Sequence, residues 1–281
     1  MDQKGMGKLT LTTLGSQGWI PVRNRHTCCY CLEYHDTLII FDAGTGLARF
    51  AEPWGRKILN HYRKILLLLS HYHLDHTAGL IYLPYFFKDK RVHIAGPGQS
   101  LYGKSVQDIL SGLIAPPYFG RPLMEFPMDL TLHDLGTGTA NIEGIEIDTI
   151  LQEHSNPSIG IKVDDMVCYL TDTAVNESTD DFIRHCRLLL HETWFDTGEY
   201  EDLIRQSRLS PAPPQVLKLL GSHSPVGRVA KVAAAAPVQS LLLIHLNPAY
   251  DEERLLAMER EAQEIFPGAL LAKDGHTISL R

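Results

Sequence analysis

The stretch "LLLLSHYHLDHTAGL", residues 66–80, constrains this chain more than any other. The aliphatic run Ile65–Leu69 reads as a buried strand. His71, His73, Asp75 and His76 follow it almost at once. In a turn leaving a strand, two-residue spacing can aim side chains at one point, and the next pair at a second point close by. Imidazole suits zinc, manganese and iron, and a carboxylate is the harder oxygen ligand. A chance H-x-H-x-D-H is improbable even in a chain with 14 histidines. A solvated polar turn is the bland alternative, and the density of ligand types outweighs it.

Four such residues make at most part of a two-metal site, so further ligands must come from other strand ends. Three positions fit: His154 in "LQEHSNPSIGI", Asp172 in "CYLTDTA" and His245 in "SLLLIHLNP". Each stands at or just after an apolar run, where a loop presents a ligand on a rigid scaffold.

The 281 residues suffice for one large domain or two small ones. Composition is that of a soluble globular protein, 44% hydrophobic and 21% charged. The start, "MDQKGMGKLTLTTLG", lacks the apolar core of a signal peptide, and the longest aliphatic run is too short to cross a membrane. A cytoplasmic protein with no membrane partner is expected. Five cysteines, an odd number, argue against a disulfide framework. "CCYC" (28–31) lacks the second pair of a zinc ribbon and falls in a strand-like stretch, which gives it a structural role. The net charge of −7 argues against gripping a long nucleic acid.

Strand-like runs are expected at 9–14, 38–41, 65–70, 92–95, 145–150, 159–163, 166–170, 188–191, 241–245 and 270–272. Helices are expected at 78–87, 105–114, 177–185, 226–235 and 251–265. No G-x-G-x-x-G follows a strand, so layered sheets covered by helices are favoured over a Rossmann fold. Residues 97–130 read as a helix and then a Pro- and aromatic-rich loop, either a cap over a pocket or a surface connection.

With Asp42 in "IIFDAGTGL" added, the pattern resembles the metallo-β-lactamase superfamily along nearly the whole chain. The resemblance implies a single α/β domain over 1–281, a four-layer αββα sandwich with two divalent metal ions at one edge. Zinc is the favoured metal, manganese and iron the alternatives. One ion would be held by His71, His73 and His154, the other by Asp75, His76 and His245. Asp172 would bridge them, and Asp42 would brace the ligand loop from behind. Asp75 is counted as a catalytic group as well as a ligand.

Within the superfamily, "LLLHETWFD" (188–196) resembles the His-Glu-Ala-Thr element of ribonuclease Z, with Thr193 and Trp194 in place of Ala and Thr. "GSHSP" (221–225) resembles its Gly-His-Ser-Thr loop with a serine inserted before the histidine. "PVRNRHT" (21–27) and "FPGALLAKDG" are similar to further elements of that family. The resemblance makes His223 the acid that protonates a leaving alkoxide and Glu192 its holder, while a hydroxide bridging the two metals attacks phosphorus. His191 is read as structural.

Ribonuclease Z carries a long arm between the third and fourth metal motifs. Here His154 and Asp172 are 18 positions apart, which leaves no room for it. Other segments are closer to phosphoribosyl cyclic phosphate phosphodiesterase and its relatives, although the cysteine-rich zinc insertion of that enzyme has no match. The expected function is therefore hydrolysis of a small phosphodiester, cyclic ones included. Alternatives are tRNA 3′-processing, a lactonase or thioesterase activity, and a non-catalytic metal-binding sensor. Arg23 and Arg25 are candidates for pairing with a substrate phosphate, and Tyr118 and Phe119 for stacking on a base or sugar. Relatives are commonly dimers, so a homodimer is a candidate assembly.

Overall fold

The computed structural model describes residues 9–280. Within them, 9–16, 20–136 and 273–280 form one compact unit, and 17–19 with 137–272 form a second. The strands are β1 (Leu9–Gly15), β2 (Cys29–Tyr34), β3 (Thr37–Phe41), β4 (Lys64–Leu68), β5 (Arg91–Pro97), β6 (Asp129–Leu135), β7 (Gly138–Ile142), β8 (Ile145–Gln152), β9 (Ser158–Val163), β10 (Val167–Leu170), β11 (Leu188–Glu192), β12 (Ser240–Ile244), β13 (Ala269–Leu271) and β14 (Thr277–Leu280).

The first unit holds one mixed sheet in the order β14-β1-β2-β3-β4-β5-β6. Its β1–β2 and β2–β3 pairs are antiparallel, whereas β3 to β6 run parallel. Parallel strands need both faces covered, so they read as continuous apolar runs instead of alternating ones. "KILLL" in β4 obeys this: Ile65 and Leu67 join a core with Leu59, Val106 and Leu110 from the helices, and Leu66 and Leu68 on the opposite face are equally buried.

The second unit holds the sheet β13-β12-β11-β10-β9-β8-β7, antiparallel from β7 to β10 and parallel from β10 to β13. The helices Val226–Ala235 and Glu252–Ile265 pack Val229, Ala233, Leu255 and Met258 onto Leu189, Leu241 and Leu243. Leu241 is fully buried here, so Leu241→Ala should cost about 2–5 kcal/mol. A urea unfolding midpoint reports it.

The expected α/β class holds, with two mixed sheets flanked by helices. The differences from expectation are local. The span 78–87 is not one helix but a 3₁₀ turn, Ala78–Tyr82, followed by a single α-turn, Leu83–Phe86. Pro84 has no N–H to continue a helix through this point. The ladder of β4 stops at Leu68 rather than Ser70, because the Ser70 N–H donates to the Asp42 side chain. The strand β12 stops at Ile244 because His245 takes a left-handed φ of 51°. All five cysteines are buried and none is in a disulfide. No helix among the described residues is long and apolar enough to cross a membrane.

Candidate metal centre

In the first unit, Asp42 follows β3 and is fully buried, with φ at 55°. Left-handed backbone in a non-glycine residue costs on the order of 1–3 kcal/mol and persists where the surroundings over-determine it. They do so here. The Asp42 carboxylate accepts from Ser70 N–H at 2.7 Å, Ser70 Oγ–H at 2.8 Å and His76 Nδ1–H at 2.6 Å. Ser70 Oγ spends its proton on Asp42, so its 3.0 Å contact with His71 Nδ1 is a bond donated by the imidazole. Both rings thereby carry the proton on Nδ1 and keep a lone pair on Nε2, the tautomer a metal ligand needs.

The remaining groups of the cluster are close. The His71 ring lies 4.5 Å from that of His73 and 4.3 Å from that of His76. His76 Nε2 is 3.2 Å from Asp75 Oδ2. The turn itself is pinned by the Ala43 N–H donating to His76 O at 2.8 Å and by Gly79 N–H donating to Ala43 O at 2.7 Å. Gly44 has no alternative, since a Cβ there would stand 2.2 Å from Asp75 O.

In the second unit the strand ends repeat the device. Asp172, just past β10, and His245, just past β12, take φ of 49° and 51° and are buried. Asp172 directs one carboxylate oxygen to each of two imidazoles, Oδ1 at 3.7 Å from His154 Nε2 and Oδ2 at 3.2 Å from His245 Nε2. The chain between His154 and Asp172 is the β9–β10 hairpin, with Val163 paired to Val167.

Beside this set, Glu192 ends β11 and is fully buried. Its Oε1 accepts from His223 Nδ1–H at 3.2 Å, Ser224 N–H at 3.0 Å and Thr173 N–H at 3.1 Å. Ser224 Oγ–H closes the loop on Thr173 O at 2.7 Å. The carboxylate therefore joins the His223 loop to the backbone next to Asp172. His223 leaves the helix Pro214–Ser222 in an extended conformation and stacks on His245, ring centres 5.7 Å apart at 12°. Ligand-type atoms of His154, Asp172 and His223 lie within 4.8 Å of one another, as do those of Glu192, His223 and His245. His191 donates Nδ1–H to Glu192 O, and burial pushes its imidazole below the ordinary value, which keeps the ring neutral.

The four candidate substrate contacts differ in exposure and in partners. Arg23 stands exposed at the tip of the Val22–Arg25 turn, and Arg25 donates to Ser16 Oγ at 2.8 Å. Tyr118 is 82% exposed, while Phe119 packs on Phe126 against the core of the first unit.

Sequence reading missed three residues that shape the set. Trp194 stacks on His223 at 4.9 Å and 24° and leans on His245 at 5.4 Å. Its only signal is that it replaces a threonine of the resembling motif. Ser70 passes the charge of Asp42 to His71, and Gly18 lies against the His245 ring, where a Cβ would be 2.5 Å from Cε1. Neither carries a pattern.

Residues 37–246 match the β-lactamase superfamily domain. Ribonuclease Z of Methanopyrus kandleri is 24% identical, over 98% of this chain and 99% of its own length. The metallo-β-lactamase fold protein YhfI from Bacillus subtilis superposes with a TM-score of 0.71 at 18% identity, covering 97% of this chain and 99% of YhfI. A diphosphatase from the PhnP family gives 0.67 at 16% identity, with 97% and 98% covered. At these identities the two solved structures show a common fold.

Proposed function

The chain belongs to the β-lactamase superfamily, and from that premise we propose that it is a dinuclear metal-dependent phosphodiesterase acting on a small, linear or cyclic, phosphodiester. The donor chemistry fits divalent cations. His71 and His76 have their Nδ1–H engaged and present Nε2, and Asp172 offers separate oxygens toward His154 and His245. In this reading His71, His73 and His154 hold one cation, Asp75, His76 and His245 the other, and Asp172 both. Cations bound there would supply an acidified water as nucleophile and would draw charge from the phosphoryl oxygens.

The chain's own contribution is the proton. An alkoxide leaves phosphorus slowly unless a positioned acid meets it. His223, held through Nδ1–H by Glu192, has Nε2–H to give to the departing oxygen. The Glu192–His223 pair beside Asp172 is the single observation that carries the phosphodiester reading. A thioester hydrolase, whose leaving thiolate is far less basic, has no comparable use for it.

A second reading, tRNA 3′-processing, is favoured by the full-length match to a ribonuclease Z. The tight hairpin between His154 and Asp172 and the net charge of −7 speak for the small substrate. A turnover screen with cyclic nucleotides, 2′,3′-cyclic phosphates and a pre-tRNA transcript separates the two. Hydrolysis of the small diesters without tRNA cleavage is expected. Cleavage of the transcript at its 3′ junction, with the small diesters untouched, would install the second reading.

Gly18→Ala is a sharper probe of the ligand set. The new methyl group overlaps the buried His245 ring, which must turn. Disturbing a ligand's orientation in this way typically costs 10–100-fold in metal affinity. Metal titration should show a loss of about that size, with the unfolding midpoint little changed.

A further inference from the structure

The second unit carries a groove that neither the ligand set nor the Glu192–His223 pair uses. It lies between the helices Thr197–Leu209 and Val226–Ala235 and encloses about 670 Å³. Small-molecule sites usually occupy roughly 300–1,000 Å³. Tyr200 and Pro225 form buried parts of its wall, and Ile204 and the exposed Leu209 add apolar surface.

Four cations face this space: Arg205 and Arg208 from one helix, Arg228 and Lys231 from the other. Glu201 is the one carboxylate among the lining residues. Each helix thus places two like charges three positions apart on the same side, an arrangement that opposes helix stability unless something neutralises it. Arg205 is paired with Asp202 at 2.7 Å. Among the described residues, Arg208, Arg228 and Lys231 enter no ion pair. Arg228 is already fixed in place, with its guanidinium 4.9 Å from the Tyr200 ring centre and Nη1–H donating to Tyr200 Oη at 3.4 Å. This positive concentration stands on a chain with 26 Lys and Arg against 33 Asp and Glu.

We propose that the groove is a second, non-catalytic binding site for a nucleotide phosphate, either free or at the end of an oligonucleotide. Guanidinium forks match phosphate oxygens in pairs, and three cations lining one groove suit a multiply charged group better than one carboxylate. Ile204 and Leu209 give the organic part of the ligand an apolar surface, which inorganic phosphate would leave unused. The site stands apart from the phosphodiesterase reading and does not depend on it.

The metal-loaded protein should be titrated with adenosine 5′-diphosphate and, separately, with a 5′-phosphorylated 2′-O-methyl octanucleotide, which resists cleavage. Wild type is expected to bind at least one probe. R208E/K231E should weaken that binding by tenfold or more, and binding should weaken as salt is raised. Binding of the diphosphate identifies a free nucleotide as ligand, and binding of the octanucleotide alone identifies a chain end. Both variant positions are outside the proposed reaction machinery, so hydrolysis of bis-p-nitrophenyl phosphate should match wild type. Absence of binding for both probes, or equal affinity in R208E/K231E, overturns the proposal and leaves the reading of the metal centre untouched.

Discussion

Asp172→Asn is expected to lower the amount of bound metal and to cut diester turnover by more than the roughly 10–100-fold that follows loss of an outer partner of a ligand. Asparagine keeps the size of the side chain and tolerates the left-handed backbone found here, φ 49°. The fold should therefore survive, and the unfolding midpoint should stay close to wild type. What changes is the donor set. An amide offers one neutral oxygen where the carboxylate directs separate oxygens toward His154 and His245. The proposed ligand set would then lack the negative charge of Asp172, which would weaken its hold on divalent cations. Elemental analysis of the variant, read beside its activity, checks this: full occupancy and wild-type turnover would remove Asp172 from the bridging position.

The second large effect concerns the leaving group. His223→Ala should lose about 10²–10⁴-fold on a 2′,3′-cyclic phosphate, whose departing alkoxide needs a proton. It should lose little on bis-p-nitrophenyl phosphate, whose phenolate leaves unaided, and its metal content should equal wild type. Glu192→Gln should show the same selectivity more weakly. The Gln amide retains an oxygen for the N–H groups of Thr173 and Ser224 but no charge to stabilise the imidazolium. Equal losses on both substrates would mean that His223 acts on metal binding or folding and not on the leaving oxygen.

The ligand-bearing strand ends are legible in sequence because a buried parallel strand is an unbroken apolar run. A charged or imidazole side chain within two residues of its end then stands out. Asp42, Asp172 and His245 each follow such a run, and each turns out to occupy left-handed backbone. Elements without that contrast escape notice. The edge strand β7, "GTANI", and the strand β6, "DLTLHDL", are largely exposed or half-buried and carry little apolar signal. The helix Thr197–Leu209 has Tyr200 as its one buried residue, so no apolar stripe marks it. The helix Pro214–Ser222 starts inside "SPAPPQ", which reads as a loop, although proline is favourable at a first helical position. Pro53–His61 hides behind its initial proline for the same reason.

The site shows the same divide. Glu192 and His223 are found through motifs, but what holds them is backbone: the N–H groups of Thr173 and Ser224 on one carboxylate oxygen. Main-chain donors leave no trace in residue identity. Trp194, stacked on His223, is visible in sequence only as a departure from the resembling motif. Gly18 is invisible, since its importance is the space it leaves for His245.

His71, His73, Asp75, His76, His154, Asp172 and His245 are proposed to hold a pair of divalent cations. Inductively coupled plasma analysis of purified wild-type protein, after loading with zinc, manganese or iron and removal of excess, measures this directly. Two ions per chain are predicted with at least one of these metals. A chain that retains none of them under any loading condition, while still folded, would contradict the claim and the proposed reaction with it.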